Sequence, residues 1–235
     1  MLDKKAETKN SRRLRILYEI MVSQSPLIRE MLALVTGNFG TGKSTAVEEL
    51  YPKVGGLYVL VVENMRVKAF LDKICTELAI TPSHSAFVTQ CLVIDKLEET
   101  QQVLFIDNGE ALNKNLLNTI QAIHDLAKRP IFLIGSNALE TMLNKEKNAA
   151  IRSRIGARKH IKFESCDFDD LIEVAKLCCE IRVEDDLLKD ILKRTGGNMR
   201  KIIGELSYVE TCAALLQVIS INLKQYEKAK KEMGD

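Results

Sequence analysis

Residues Gly37-Asn38-Phe39-Gly40-Thr41-Gly42-Lys43-Ser44, followed by Thr45, spell G-x-x-x-x-G-K-S-T. That spacing makes a cradle for a nucleoside triphosphate. Glycines let backbone N–H groups turn inward around phosphate oxygens. An ammonium at Lys43 reaches the β- and γ-phosphates, and a hydroxyl at Ser44 ligates Mg²⁺. The chemistry implied is capture of ATP with Mg²⁺ by residues 37–45.

A second set of groups lies downstream. Val103-Leu104-Phe105-Ile106-Asp107 is an apolar run ending in a carboxylate, about sixty residues after the glycine loop, where an aspartate holds Mg²⁺ through water. Hydrolysis also needs a group that polarises the attacking water. Asn108 occupies the next position, and Glu110 is the nearest carboxylate, reachable if Gly109 makes the turn flexible. The alternative is slow hydrolysis and an ATP-bound switch. Ile131-Phe132-Leu133-Ile134-Gly135-Ser136-Asn137 is another apolar run with a polar end, so Ser136 or Asn137 can bond the γ-phosphate or the water. Arg152 and Arg154, with Arg158 beyond, suit charge on a phosphoryl group held by a neighbouring subunit. In Thr195-Gly196-Gly197-Asn198-Met199-Arg200, Asn198 caps a helix and Arg200 can reach bound phosphates.

These groups need a frame. Five β-like runs, 31–36, 57–62, 103–106, 131–134 and 160–163, are nearly continuous in apolar residues, as parallel strands buried on both faces are. Helical patterns separate them at 43–51, 67–79, 83–99 and 113–127, and another precedes them at 12–23. The alternation predicts a doubly wound α/β sheet. After Phe163 the strands stop, and 167–179, 184–195 and 198–215 read as helices. The expected organisation is a flexible start at 1–11, an α/β nucleotide-binding core at 12–164, a helical lid at 165–216 and a lysine-rich helical tail at 217–235.

Composition narrows the possibilities. Lys and Arg number 34 against 32 Asp and Glu, so any nucleic-acid surface must be local. Trp is absent and aromatics make up 5%, which disfavours a stacking platform for single strands. Six cysteines form no C-x-x-C pair and fit reduced core positions, and three scattered histidines lack zinc-ligand spacing. The charged start does not read as a secretory leader, and no apolar run approaches membrane-spanning length. The expectation is a soluble, cytoplasmic protein.

Taken in order, the glycine loop, Asp107, Ser136/Asn137, the arginines at 152–158 and G-N-x-R at 197–200 resemble the AAA+ ATPases, over roughly residues 12–215. Within them the chain looks like the transposition regulators, the group of the phage Mu B protein, TnsC and TniB-like proteins. The resemblance implies a three-layer core with a five-stranded parallel sheet, followed by a small C-terminal helical lid. It implies ATP bound between subunits of a ring or helical filament. It also implies sequence-non-specific coating of duplex DNA and recruitment or stimulation of a transposase or related recombination protein. By that resemblance Glu110 is the water activator, Ser136 or Asn137 the first sensor, Arg152 or Arg154 the trans-acting finger and Arg200 the second sensor. Asn108 departs from the usual D-E pair. The loop after the second strand would face a DNA channel, which nominates Arg66, Lys68 and Lys114. The competing functions are a helicase loader of the DnaC/IstB type and a signalling NTPase that touches no nucleic acid.

Overall fold

The structure, a computed structural model, describes residues 2, 4–25 and 30–234. The chain divides into two compact units.

The core unit comprises Arg13–Gly37 and Lys43–Phe163. Its elements run α1 (Lys9–Val22, which begins in the other unit), β1 (Leu32–Gly37), α2 (Lys43–Lys53), β2 (Leu57–Leu60), α3 (Val67–Glu77), α4 (Ala86–Thr100), β3 (Leu104–Asp107), α5 (Lys114–Ala127), β4 (Ile131–Ile134), α6 (Asn137–Leu143), α7 (Ala149–Arg152) and β5 (Ile155–Phe163). The five strands form one parallel sheet in the order β2-β3-β4-β1-β5.

Side chains alternate across the sheet and so feed two separate cores. Leu32, Leu34, Leu104, Ile106, Ile131 and Leu133 pack with Phe70, Leu71 and Ile74 of α3, Val93 and Leu97 of α4 and Ile120 of α5. Ala33, Val35, Phe105, Phe132 and Ile134 pack with Leu14, Leu17 and Met21 of α1 and Val47 and Leu50 of α2. Phe105 and Phe132 stack at 4.9 Å within that second layer. The expected α/β three-layer fold is therefore present. With no polar face, β1 is buried at every position.

The helical unit comprises Met1–Arg12, Asn38–Gly42 and Glu164–Asp235. Residues 1, 3 and 235 of these segments lie outside the described residues. Its elements are α8 (Phe168–Cys178), β6 (Arg182–Val183), α9 (Asp185–Thr195), α10 (Met199–Leu216), β7 (Ser220–Ile221) and α11 (Leu223–Met233). Their core includes Leu171, Leu187, Ile191, Ile202, Leu206, Val209, Ile221, Tyr226 and Ala229. Two expectations change here. Strands do not stop at Phe163: β6 and β7 pair in parallel, each too short to show a period. The stretch 217–235, expected as a lysine-rich helical tail, carries β7 as well as α11, and α11 buries Tyr226 and Ala229 in the same core as α9 and α10.

Candidate nucleotide site

Three adjacent strands, β3, β4 and β1, end at the candidate chemistry, the edge where α/β sheets bind ligands. β1 runs into the glycine loop. Gly40 and Gly42 hold φ of +79° and +85°, a region that glycine enters without strain. Thr41 is buried and its hydroxyl donates to the Asn38 carbonyl at 2.9 Å, closing the turn on itself. Phe39 is 72% exposed. Lys43 opens α2 and donates its ammonium to the Gly37 carbonyl at 2.9 Å. Ser44 and Thr45 follow on the first turn.

Lys43 is half-buried. Burial lowers its pKa from the ordinary lysine value, and the nearby carboxylates of Glu110 and Asp107 oppose that shift. Asp107 is only 4% exposed. Its Oδ1 accepts the Asn108 backbone N–H at 2.7 Å, and its Oδ2 accepts the Tyr58 hydroxyl at 2.9 Å. Burial, then the Asp107 charge, pushes the Tyr58 phenol far above its usual range, so it stays a donor. Each carboxylate oxygen takes one such bond from the chain, which leaves lone pairs for a hydrated cation. A buried carboxylate, a hydroxyl at the start of a helix and an ammonium beside them fit Mg²⁺-nucleotide well.

Asn108 and Glu110 separate clearly. Asn108 sits in the left-handed region at φ 58° and donates its side-chain amide to the Val61 carbonyl at 2.8 Å, tying β3 to the end of β2. Glu110 accepts the Ser136 backbone N–H at 3.0 Å, which joins the expected activator to the expected sensor strand. Gly135 makes room for this, since a Cβ there would lie 2.5 Å from Glu110 Oε2 and 2.9 Å from Leu139. Gly109, expected to make this turn flexible, also has a packing reason to be glycine. A Cβ there would meet Leu139 at 2.7 Å and the Ile134 carbonyl at 3.0 Å, so the glycine serves close packing. Ser136 is buried, and its hydroxyl oxygen accepts from Ala138 N–H at 3.3 Å as the cap of α6, which Asn137 begins.

The arginines divide as well. Arg154 makes a bidentate pair with Asp125, at 2.6 Å from Nε and 2.5 Å from a terminal nitrogen. Asp125 also bonds His124 Nδ1 at 2.8 Å, and His124 Nε2 accepts the Met31 N–H at 3.2 Å. Arg152 donates its Nε to Asn144 Oδ1, at 3.0 Å. Arg158 is exposed on β5, and Arg200 is exposed on the first turn of α10. Arg66 precedes α3 and Lys114 opens α5. Both are exposed, and a 3.2 Å bond from the Asn113 side chain to the Met65 carbonyl joins the segments that carry them. Lys68 pairs with Asp72 one turn along its own helix.

Tyr58 and the packing of Gly135 on Glu110 were not foreseen from the sequence. A tyrosine within the apolar run of β2 was the one visible sign of the first. All six cysteines are free, and only Cys91 is exposed. Burial pushes the Cys166 and Cys179 thiols up to about 12, so neither is a nucleophile. Among the described residues, no helix is long and apolar enough to cross a membrane.

The AAA domain family matches residues 28–143, a span holding the glycine loop, Asp107, Glu110 and Ser136. None of the curated proteins compared with the chain matches it. Solved structures of Thermotoga maritima RuvB share the fold. The one described as the RuvB Holliday junction branch migration motor is 19% identical with a TM-score of 0.61, over 96% of this chain and 69% of that one. A lysine-to-arginine mutant of that protein gives 18% and 0.63 over 96% and 69%. A proline-to-glycine mutant gives 18% and 0.61 over 99% and 72%. At such identities the likeness concerns the fold, which is a P-loop AAA+ fold.

Proposed function

We propose that this chain is a Mg²⁺-dependent ATPase that assembles through its bound nucleotide and acts on duplex DNA as a sequence-non-specific regulator of transposition. The observation that carries the ATPase reading is the convergence at the ends of the adjacent strands β1, β3 and β4, which brings the glycine loop with Lys43, the buried Asp107 and Glu110, held by Ser136 N–H, to one edge of the sheet. Lys43 and the loop amides bind the phosphates, while Ser44 and Asp107 hold the cation. When bound, Mg²⁺ neutralises charge on the β- and γ-oxygens. Glu110 accepts the proton of the attacking water, and its bond to Ser136 N–H fixes one carboxylate oxygen. The bond of the Asn108 side-chain amide to the Val61 carbonyl supports Glu110 over Asn108 in that role. Arg152, with its terminal nitrogens unengaged by Asn144, is the better trans-acting finger.

Two features support action on DNA: exposed Arg66 and Lys114 on joined segments, and the overall resemblance of the sequence to transposition regulators. RuvB, itself described as a Holliday junction motor, shows that the fold serves DNA work elsewhere. The test images purified protein with non-specific duplex DNA and a slowly hydrolysed ATP analogue. Filaments on the DNA, absent in Lys43→Ala, are expected. Rings formed only with a replicative helicase would favour the loader reading, and nucleotide-driven oligomers indifferent to DNA would favour the signalling one.

A further inference from the structure

Gly40 occupies a variable position of G-x-x-x-x-G-K-S, so phosphate binding alone does not demand a glycine there. Its φ of +79° already favours glycine, and the helical unit adds a second demand. A Cβ on Gly40 would lie 2.3 to 2.6 Å from the side-chain atoms of Asn198. Asn198 bonds in two directions. Its Oδ1 caps α10 by accepting Lys201 N–H at 3.2 Å, and its Nδ2 donates to the Phe39 carbonyl at 3.0 Å. One residue on, the Met199 N–H donates to the Gly40 carbonyl at 2.7 Å. Gly197 makes the approach possible. At φ +72° it packs so tightly on Ser165 and Cys166 that a Cβ would lie 2.5 Å from the Cys166 carbonyl, and its own carbonyl accepts Cys166 N–H at 2.9 Å.

The two bonded carbonyls belong to consecutive peptide groups. In a trans peptide the C=O and the following N–H point in opposite directions, and cis bonds are absent among the described residues. Fixing the Phe39 carbonyl therefore fixes the Gly40 N–H on the other side, and fixing the Gly40 carbonyl does the same for the Thr41 N–H. We infer that Asn198 and the first amide of α10 are positioning groups for the phosphate cradle: they hold two loop peptides by their carbonyls so that the Gly40 and Thr41 N–H groups face the bound phosphates. This rests on the nucleotide-binding reading above. It assigns the G-G-N part of the G-G-N-x-R pattern a task separate from that of Arg200.

Asn198→Ser tests it, because serine keeps the helix cap while losing the amide that reaches Phe39. ADP binding is measured by calorimetry in EDTA, which removes the contribution of Ser44 and Asp107 through metal, and melting temperature is measured alongside. The expected result is ADP affinity about 5- to 10-fold weaker, the effect of one hydrogen bond, with the melting temperature within about 2 °C of the parent. Unchanged ADP affinity in the variant would overturn the inference and leave the nucleotide reading intact. A melting temperature lower by more than about 5 °C, with affinity lost only in proportion, would also overturn it, by making Asn198 a fold residue. Absence of ADP binding in the parent protein would bring down the nucleotide reading and this inference with it.

Discussion

Arg152 and Arg154 stand two positions apart and have different partners. The guanidinium fork of Arg154 is taken up by Asp125, the bidentate geometry for which arginine is suited. Asp125 in turn orients His124, whose Nδ1 must carry the proton because Nε2 accepts from Met31. Asp125 is held below the usual carboxylate range first by Arg154. Replacing Arg154 with alanine therefore loosens a chain that ends at the backbone entering β1, and a melting temperature lower by several degrees is expected. Arg152→Ala has no such cost. It should keep its melting temperature and its nucleotide affinity while assembled protein loses at least about 100-fold in ATP turnover, as removal of a trans-acting arginine does. Thermal melts, nucleotide titration and steady-state turnover on the two variants decide this, and normal turnover in Arg152→Ala refutes the assignment.

At the scale of elements, α11 carries the clearest consequence. Its lysines made it look like a solvated end, yet Tyr226 is 3% exposed, lies edge-on to Tyr208, and donates to Glu205 at 3.2 Å. Asn222 and Gln225 form a capping box at its start. Truncation after residue 216 should strip β7 and α11 from the helical core and lower the melting temperature by more than about 5 °C or abolish soluble expression; an unchanged melt would return the segment to a solvated tail. The sequence hid this because only Tyr226 and Ala229 of α11 are buried, too few for a readable stripe. β1, β3 and β4 were readable for the opposite reason, since burial at every position leaves unbroken apolar runs. β5 was only half readable: it begins at Ile155, but Gly156, Arg158 and Lys159 make its first half look like a loop. Lys159 is nonetheless buried, its ammonium bonded to the Gln24 side chain and the Glu30 carbonyl. The site divides the same way. Fixed spacing made the glycine loop, Asp107 and Ser136 visible, whereas the contacts of Tyr58 with Asp107 and of Asn198 with Phe39 join residues 49 and 159 positions apart, which no local pattern encodes.

For the whole molecule the governing quantity is charge. A net charge of +2 gives one protomer little long-range pull on a polyanion. On the function proposed above, affinity for duplex DNA would come from a few local cations repeated over many copies, each adding weak contacts to the next. The structure ranks those cations. Arg66 and Lys114 are exposed on segments joined through Asn113 and Met65, while Lys68 is already paired with Asp72. Arg66→Ala and Lys114→Ala should each weaken ATP-dependent DNA binding about equally on duplexes of unrelated sequence. Each should also reduce the slope of log affinity against log salt by about one per bound protomer, the loss of one phosphate contact. Lys68→Ala should change both far less. Turnover without DNA should be unaffected in all three, because none touches the cluster around Lys43. Fluorescence anisotropy across a salt series measures these slopes; if all three variants keep the parent slope, none of these cations contacts DNA and the proposed channel face is refuted.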